Sequence, residues 1–389
     1  MQIHRTKKGE TAEAVAKEYE TTKERIEENN SLDYGIAAGR ELLILKPTRT
    51  YVARAEDTLR DLARRFRVKE EELLLNNPSL LSDAPLAGRE LAIKYAEPTR
   101  ASVATNGYYF KSTGTERLKA VLPFVTYLTV SAYRLCERGL ERIFDPRAAV
   151  RMGKEGGKVV LMRVYDGTDG EVYTREQSRS ELIETLIGTA GSGGYAGITL
   201  SAHTAAKNRK DDLTKFIVEL RRSMIGSGLI LFTEVDEDTP RDVSELADGS
   251  VFMYEKAHLA EPPSFENGER AVLEAFSSEA ESSKVFIDLP CEGYVGGSSA
   301  PLKDVFRAVR SDGGCITANE STLISGYSAS VGEIRYNSLE NIKARLDLAY
   351  ELGFMGLSFD IGAVPTEYLM MIFSLFTPVH FYSPFSLPT

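Results

Sequence analysis

The stretch Asp57-Thr58-Leu59-Arg60-Asp61-Leu62-Ala63-Arg64-Arg65-Phe66 places Leu59, Leu62, Ala63 and Phe66 at i, i+3, i+4 and i+7, one face of a helix. Glu10-Thr11 opens the same stripe with Ala12, Val15, Ala16 and Tyr19. In both copies the acid–threonine pair stands where N-cap oxygens are wanted. Thr11, Ala16, Asn29 and Asn30 return as Thr58, Ala63, Asn76 and Asn77, each 47 residues later. Gly39-Arg40-Glu41-Leu42 returns as Gly88-Arg89-Glu90-Leu91 at an offset of 49, so the second copy carries two extra residues before its last strand. Each copy reads strand, helix, helix, strand, over Ile3 to Leu45 and Tyr51 to Tyr95, with Asn76-Asn77-Pro78 stopping a helix and Pro47-Thr48 and Pro98-Thr99 closing the copies. The expected units are 1–47 and 48–97, two small α+β (βααβ) modules, followed by 98–389.

Beyond Ala101, β-rich runs alternate with amphipathic stretches. The expected strands are Val103–Phe110, Tyr127–Ala132, Val159–Arg163, Gly197–Leu200, Leu229–Thr233, Ser250–Tyr254, Lys284–Leu289 and Gly356–Phe359. The expected helices include Arg179–Thr189, Asp211–Met224, Arg270–Glu279, Leu302–Val309 and Leu339–Leu352. Eight strands alternating with helices imply an α/β fold, a (β/α)8 TIM barrel. Val159–Met162 and Leu229–Phe232 are continuously apolar, as strands buried on both faces are. Sites on this fold gather at the carboxyl ends of strands. That directs attention to Arg163–Tyr165, Ser201–His203, Thr233–Asp236, Tyr254–Glu255, Leu289–Tyr294 and Asp360.

The chain has 389 residues, 47 basic against 57 acidic side chains, and a net charge of −10. Residues 1–95 hold 17 of each sign, so the whole excess lies in the barrel. An acidic balance argues against a nucleic-acid partner, whose phosphates demand a basic footprint. No run approaches the 18 apolar residues of a membrane span, and Met1–Tyr19 has no apolar signal core. Cys136, Cys291 and Cys315 are odd in number and far apart, which leaves no disulfide framework or paired-cysteine metal site. His4, His258 and His380 make no metal-ligand spacing. Gly188-x-x-Gly191-x-Gly193-Gly194 follows a helix and precedes a strand, the wrong order for a dinucleotide loop. No metal and no cofactor is expected.

The N-terminal repeat resembles the LysM module, a carbohydrate-binding βααβ unit, in its helix start, its Asn-Asn or Asn-Asn-Pro helix end and its final Gly-x-x-Leu strand. The resemblance implies binding of N-acetylglucosamine polymers in a groove between the first strand–helix loop and the second helix–strand loop. The implied lining is Gly9, Glu10, Thr11, Asn30 and Ser31 in the first copy, and Glu56, Asp57, Thr58, Asn77 and Pro78 in the second.

The barrel resembles glycoside hydrolase family 18, in the bacterial branch with N-terminal LysM modules. Asn106-Gly107-Tyr108, Leu122–Tyr127 with Ser131-Ala132-Tyr133, Gly194–Ile198, Phe252–Glu255, Ile287–Pro290 with Gly293-Tyr294, and Gly353–Gly362 carry the likeness. That family bears D-G-x-[DN]-x-D-x-E at the end of the fourth strand, where the Glu protonates the leaving oxygen and the inner Asp orients the substrate acetamido group. Here the segment reads Ala196-Gly197-Ile198-Thr199-Leu200-Ser201-Ala202-His203. At the motif positions Ala196, Thr199, Ser201 and His203 every acid is missing. The family's Trp is absent too, since the chain has none. General acid catalysis is worth roughly 10²–10⁴-fold, so no catalytic residue is expected. His203 has no identifiable partner, and Glu234, Asp236 and Asp238 read as a solvated acidic loop. Tyr254, Glu255, Tyr294 and Asp360 are the implied sugar contacts of the barrel.

Together these readings describe a pseudoenzyme: a binder of peptidoglycan or chitin-like N-acetylglucosamine polymer, with a chitinase-like barrel. A live N-acetylglucosaminidase with relocated acids is the alternative, and a spore-coat scaffold is the third reading. The resemblance implies a cell-wall or spore location, cortex or coat, reached from the cytoplasm, with spore-coat proteins as possible partners.

Overall fold

The structure is a computed structural model that describes residues 1–378 except 33–34, 83–85, 237–238, 240, 255–261, 279 and 331. In the first module, strands Gln2–Arg5 and Glu41–Ile44 pair antiparallel around helices Ala12–Glu18 and Lys23–Asn29. In the second, Arg49–Val52 pairs with Glu90–Lys94 around Leu59–Phe66 and Glu70–Asn76. Thr11 and Thr58 are the N-caps, accepting from the amides of Ala14 and Asp61 at 3.2 Å. Their acidic neighbours do not cap. Glu10 and Asp57 accept from the amides of Lys7 and Arg54, three residues back, and so brace the turn before the cap.

The barrel contains all eight expected strands: Arg100–Tyr109, Tyr127–Cys136, Val159–Asp166, Gly197–Ser201, Ile230–Val235, Gly249–Phe252, Val285–Asp288 and Gly356–Asp360. Every neighbouring pair is parallel, and the first strand pairs with both the second and the eighth, which closes the ring. Ala104, Tyr108, Tyr127, Leu161, Phe232, Val251 and Phe286 fill its interior. Alternation along each strand sends the other face, including Val160, Met162, Ile198, Leu200 and Leu231, against the helices.

Between the seventh and eighth strands lies a five-stranded antiparallel sheet that the sequence reading lacked, built from Glu292–Val295, Ser298–Pro301, Thr317–Ala318, Ile324–Ala329 and Gly332–Asn337. Helix Leu302–Ser311, read as an ordinary barrel helix, packs on this inserted sheet.

The first module is fused to the barrel. Ala37, Leu43 and Leu45 belong to the barrel's own apolar core, and Ala38 bridges Cys315 of the inserted segment. Arg25 ties the modules together, donating to Asn77 Oδ1 at 3.2 Å and to the Glu90 carbonyl at 2.9 Å.

Candidate functional site

Strands three, four and five stand side by side, with Arg163 opposite Thr199 and Phe232 opposite Thr199 in register. Arg163 shares the inward phase of Leu161, and Glu234 that of Phe232. Thr199 and Ser201 on the strand between them are small. The guanidinium therefore reaches over the fourth strand and grips Glu234 at two points, Nε to Oε1 at 2.5 Å and Nη2 to Oε2 at 2.8 Å. It also donates to Ser131 Oγ at 3.0 Å and Ser201 Oγ at 2.9 Å, beneath the faces of Tyr108 and Phe110. Glu234 is fully buried, which corrects its reading as part of a solvated acidic loop. Burial alone would raise its pKa; the adjoining guanidinium outweighs that and holds the carboxylate far below its usual range.

The fourth strand stops at Ser201, and His203 begins a short helix, His203–Asn208. His203 thus leaves the strand register assigned to it but stays at the mouth. It also has the partners that the sequence did not reveal: Nε2 lies 3.5 Å from Glu234, and Nδ1 lies 3.2 Å from Asp236 as a neighbouring charge. Burial pushes its pKa down, but the two carboxylates overcome this and lift it to about 9. Asp288 ends the seventh strand on the inward phase of Phe286, and its side chain makes no hydrogen bond or ion pair among the described residues. Burial drives it up to about 8 against the pull of Arg345. Asp360, at the end of the eighth strand, is raised by burial while it accepts from the Gly362 amide at 2.7 Å. The surroundings thus shift His203 toward its protonated form and Asp288 toward its neutral one.

Of the other expected contacts, Tyr254 follows the end of the sixth strand. Tyr254 is buried beside Arg345, and Tyr294 sits half-buried in the inserted sheet, not at a strand end of the barrel. Glu255 and Asp238 lie outside the described residues. Ala196 precedes the fourth strand, and the fully buried Thr199 hydroxyl has no partner among the described residues. Arg163, among the strand-end candidates, and Asp288, not among them, share one sequence signal, a charge on the inward phase of an otherwise apolar run.

In the modules, Asn30 and Asn77 cannot line a groove because both are fully buried. Asn30 Nδ2 donates to the carbonyls of Ile26 and Leu43, and Oδ1 accepts from the Leu43 amide. Asn77 repeats this with Leu73 and Ala92. The repeated asparagine is a clamp that locks the second helix to the last strand. Gly9, Thr11, Glu56 and Thr58 remain exposed, Glu10 and Asp57 are half-buried, and so are Ser31 and Pro78. The LysM domain family matches residues 4–44 and 51–94. The two modules are LysM domains.

The chain, LysM pair included, superposes on crystal structures of the spore cortex-lytic enzyme SleL. For the Bacillus cereus protein the TM-score is 0.74 at 16% identity, covering 97% of this chain and 99% of that one. For the Bacillus megaterium QM B1551 protein it is 0.73 at 17%, covering 97% and 98%. A chitinase from Chromobacterium violaceum ATCC 12472 matches 70% of this chain and 98% of its own, at 16% identity and a TM-score of 0.62. Among curated proteins, YdhD of Bacillus subtilis strain 168, which bears the provisional name of a sporulation-specific glycosylase, is 22% identical over 321 residues, 76% of each chain. The architecture is thus a LysM pair ahead of a chitinase-like TIM barrel. No helix among the described residues is long and apolar enough to cross a membrane.

Proposed function

We propose that this chain is a glycan-binding protein of the bacterial cell wall or spore. Its LysM domains take an N-acetylglucosamine polymer of the peptidoglycan or chitin type, and its barrel does not cleave that polymer through a fourth-strand acid. The observation that carries the second half is the Arg163–Glu234 pair. It occupies the space over Thr199 and Ser201, and a carboxylate held ionised by a buried guanidinium has no proton to give. The LysM matches support the binding half. The spore setting rests on what SleL and YdhD are named for.

Retention on purified peptidoglycan and on chitin, competed by soluble chitooligosaccharide, tests the binding half. A chain that washes off both supports overturns it. Release of reducing ends from chitooligosaccharides and cortex fragments tests the barrel half, and none is expected.

One observation favours a live N-acetylglucosaminidase instead. Asp288, pushed up to about 8, keeps its proton at neutral pH, and a general acid works best with a pKa near the working pH. Turnover by the native chain that disappears in Asp288→Asn would establish that reading.

A further inference from the structure

We propose that glycan capture falls to the second LysM domain alone, the first having become a fixed bracket of the barrel. This rests on the glycan-binding reading above and narrows it to one module.

The two copies share the same closing turn. Gly39 and Gly88 have φ of +78° and +79°, and each is followed by Arg-Glu-Leu. Their surroundings differ. A Cβ on Gly39 would lie 2.0 Å from the Ile316 carbonyl oxygen, whereas one on Gly88 would meet nothing within 4 Å. Ala37 and Gly39 are buried while their counterparts Leu86 and Gly88 are half-buried and exposed. The Ala38 carbonyl accepts from the Ile316 amide at 2.9 Å, which stitches this loop to the inserted segment.

Ser31 completes the seal. Its amide donates to Glu367 at 2.9 Å, its hydroxyl accepts from the Thr366 amide at 3.0 Å, and its carbonyl accepts from Arg40 at 3.1 Å. A sugar bound here would have to displace Glu367, which also pairs with Arg40 at 2.8 Å, and so would strip two buried ions of their partners. The second copy has Pro78 at the matching position. Ser79 beside it is engaged by Glu28 of the first module, but the strand side of that loop stays open, as does the whole of 54–58 apart from the half-buried Asp57. Both modules keep a recognisable LysM sequence; the start of the second helix–strand loop, Pro78–Ser82, packs on the barrel helix Thr115–Val121, but the closing turn at Gly88 stays clear where that at Gly39 is sealed.

The test is titration calorimetry of the full chain with chitohexaose, together with hydrogen–deuterium exchange on the same complex. One site per chain is expected, with added protection at 53–58 and 86–90 and none at 6–11. Ala55→Arg, at an exposed turn, is expected to weaken binding at least tenfold. Two sites per chain, or protection at 6–11, would overturn the inference, as would full affinity in Ala55→Arg together with no protection at 53–58. A native chain that neither titrates nor gains protection anywhere overturns the glycan-binding reading, and this inference falls with it. Binding confined to the first module overturns the inference alone.

Discussion

Removing the Glu367 carboxylate should loosen the first LysM domain from the barrel. Glu367 lies in the first turn of helix Thr366–Leu375, almost fully buried, and accepts from Arg40 Nη2 at 2.8 Å and the Ser31 amide at 2.9 Å. Arg40, 1% exposed, lies flat over Phe306 with 4.1 Å from its central carbon to the ring centre. In Glu367→Ala this guanidinium keeps only the Ser31 carbonyl. Breaking a buried pair by deleting one partner costs about 3–5 kcal/mol. Replacing both partners with apolar groups removes the stranded charge, so Arg40→Met/Glu367→Leu should recover most of the loss. It should stay short by about 1 kcal/mol for the orphaned Ser31 amide. Arg89 occupies the same repeat position in the second module but is half-buried and donates to Ser79 Oγ, so Arg89→Met should cost under about 1 kcal/mol. Urea unfolding followed by circular dichroism gives each midpoint, and limited proteolysis shows whether the first module detaches ahead of the barrel. A Glu367→Ala protein within 1 kcal/mol of the native chain, or a double variant no better than the single, would refute the reasoning.

The pH dependence has a defined sign. His203 rises on folding from 6.5 to about 9, so its stabilising effect is full below 6.5 and is lost as pH climbs through 9. Asp288 rises from 3.8 to about 8, so folding favours its neutral form and stability falls as pH climbs from 3.8 to 8. Both effects act between 6.5 and 8. Urea midpoints should drop across that range, and His203→Gln should flatten the slope. Arg163→Leu strands the buried Glu234 carboxylate and should cost about 3–5 kcal/mol in the same assay. Adding Glu234→Gln should restore part of that loss. Asn77→Ala deletes four buried hydrogen bonds, one of them from Arg25, and should destabilise by about 2–4 kcal/mol, measured by exchange protection of Ala92 in the second module. Thr58→Ala should cost only about 1 kcal/mol, the worth of a cap.

The strands of the barrel were legible because each is an apolar run bounded by turn residues, and all eight appear. The inserted sheet was not. Its strands are short and largely half-exposed, so Ile324–Ala329 and Gly332–Asn337 carry no continuous apolar signal, and they are held by pairing with each other. At the site, the loss of the fourth-strand acids could be read from eight residues. What fills the space could not, because the Arg163–Glu234 contact joins positions 71 apart in sequence and exists only once the fourth strand lies between them.

The repeat shows where the division falls. Local sequence determined two βααβ modules: the helical stripe, the threonine cap, the asparagine clamp and the glycine turn act within some 45 residues and are the same in both copies. Tertiary structure alone decided that Arg40 and Glu41 are buried against the barrel, while Arg89 is half-buried and Glu90 is exposed. Glu41 even accepts from the Leu339 amide at 2.6 Å, at the start of a barrel helix where the aligned dipoles favour an anion. The same residues serve opposite ends because burial and charge pairing depend on what lies across the interface, and a repeat carries no record of its neighbours.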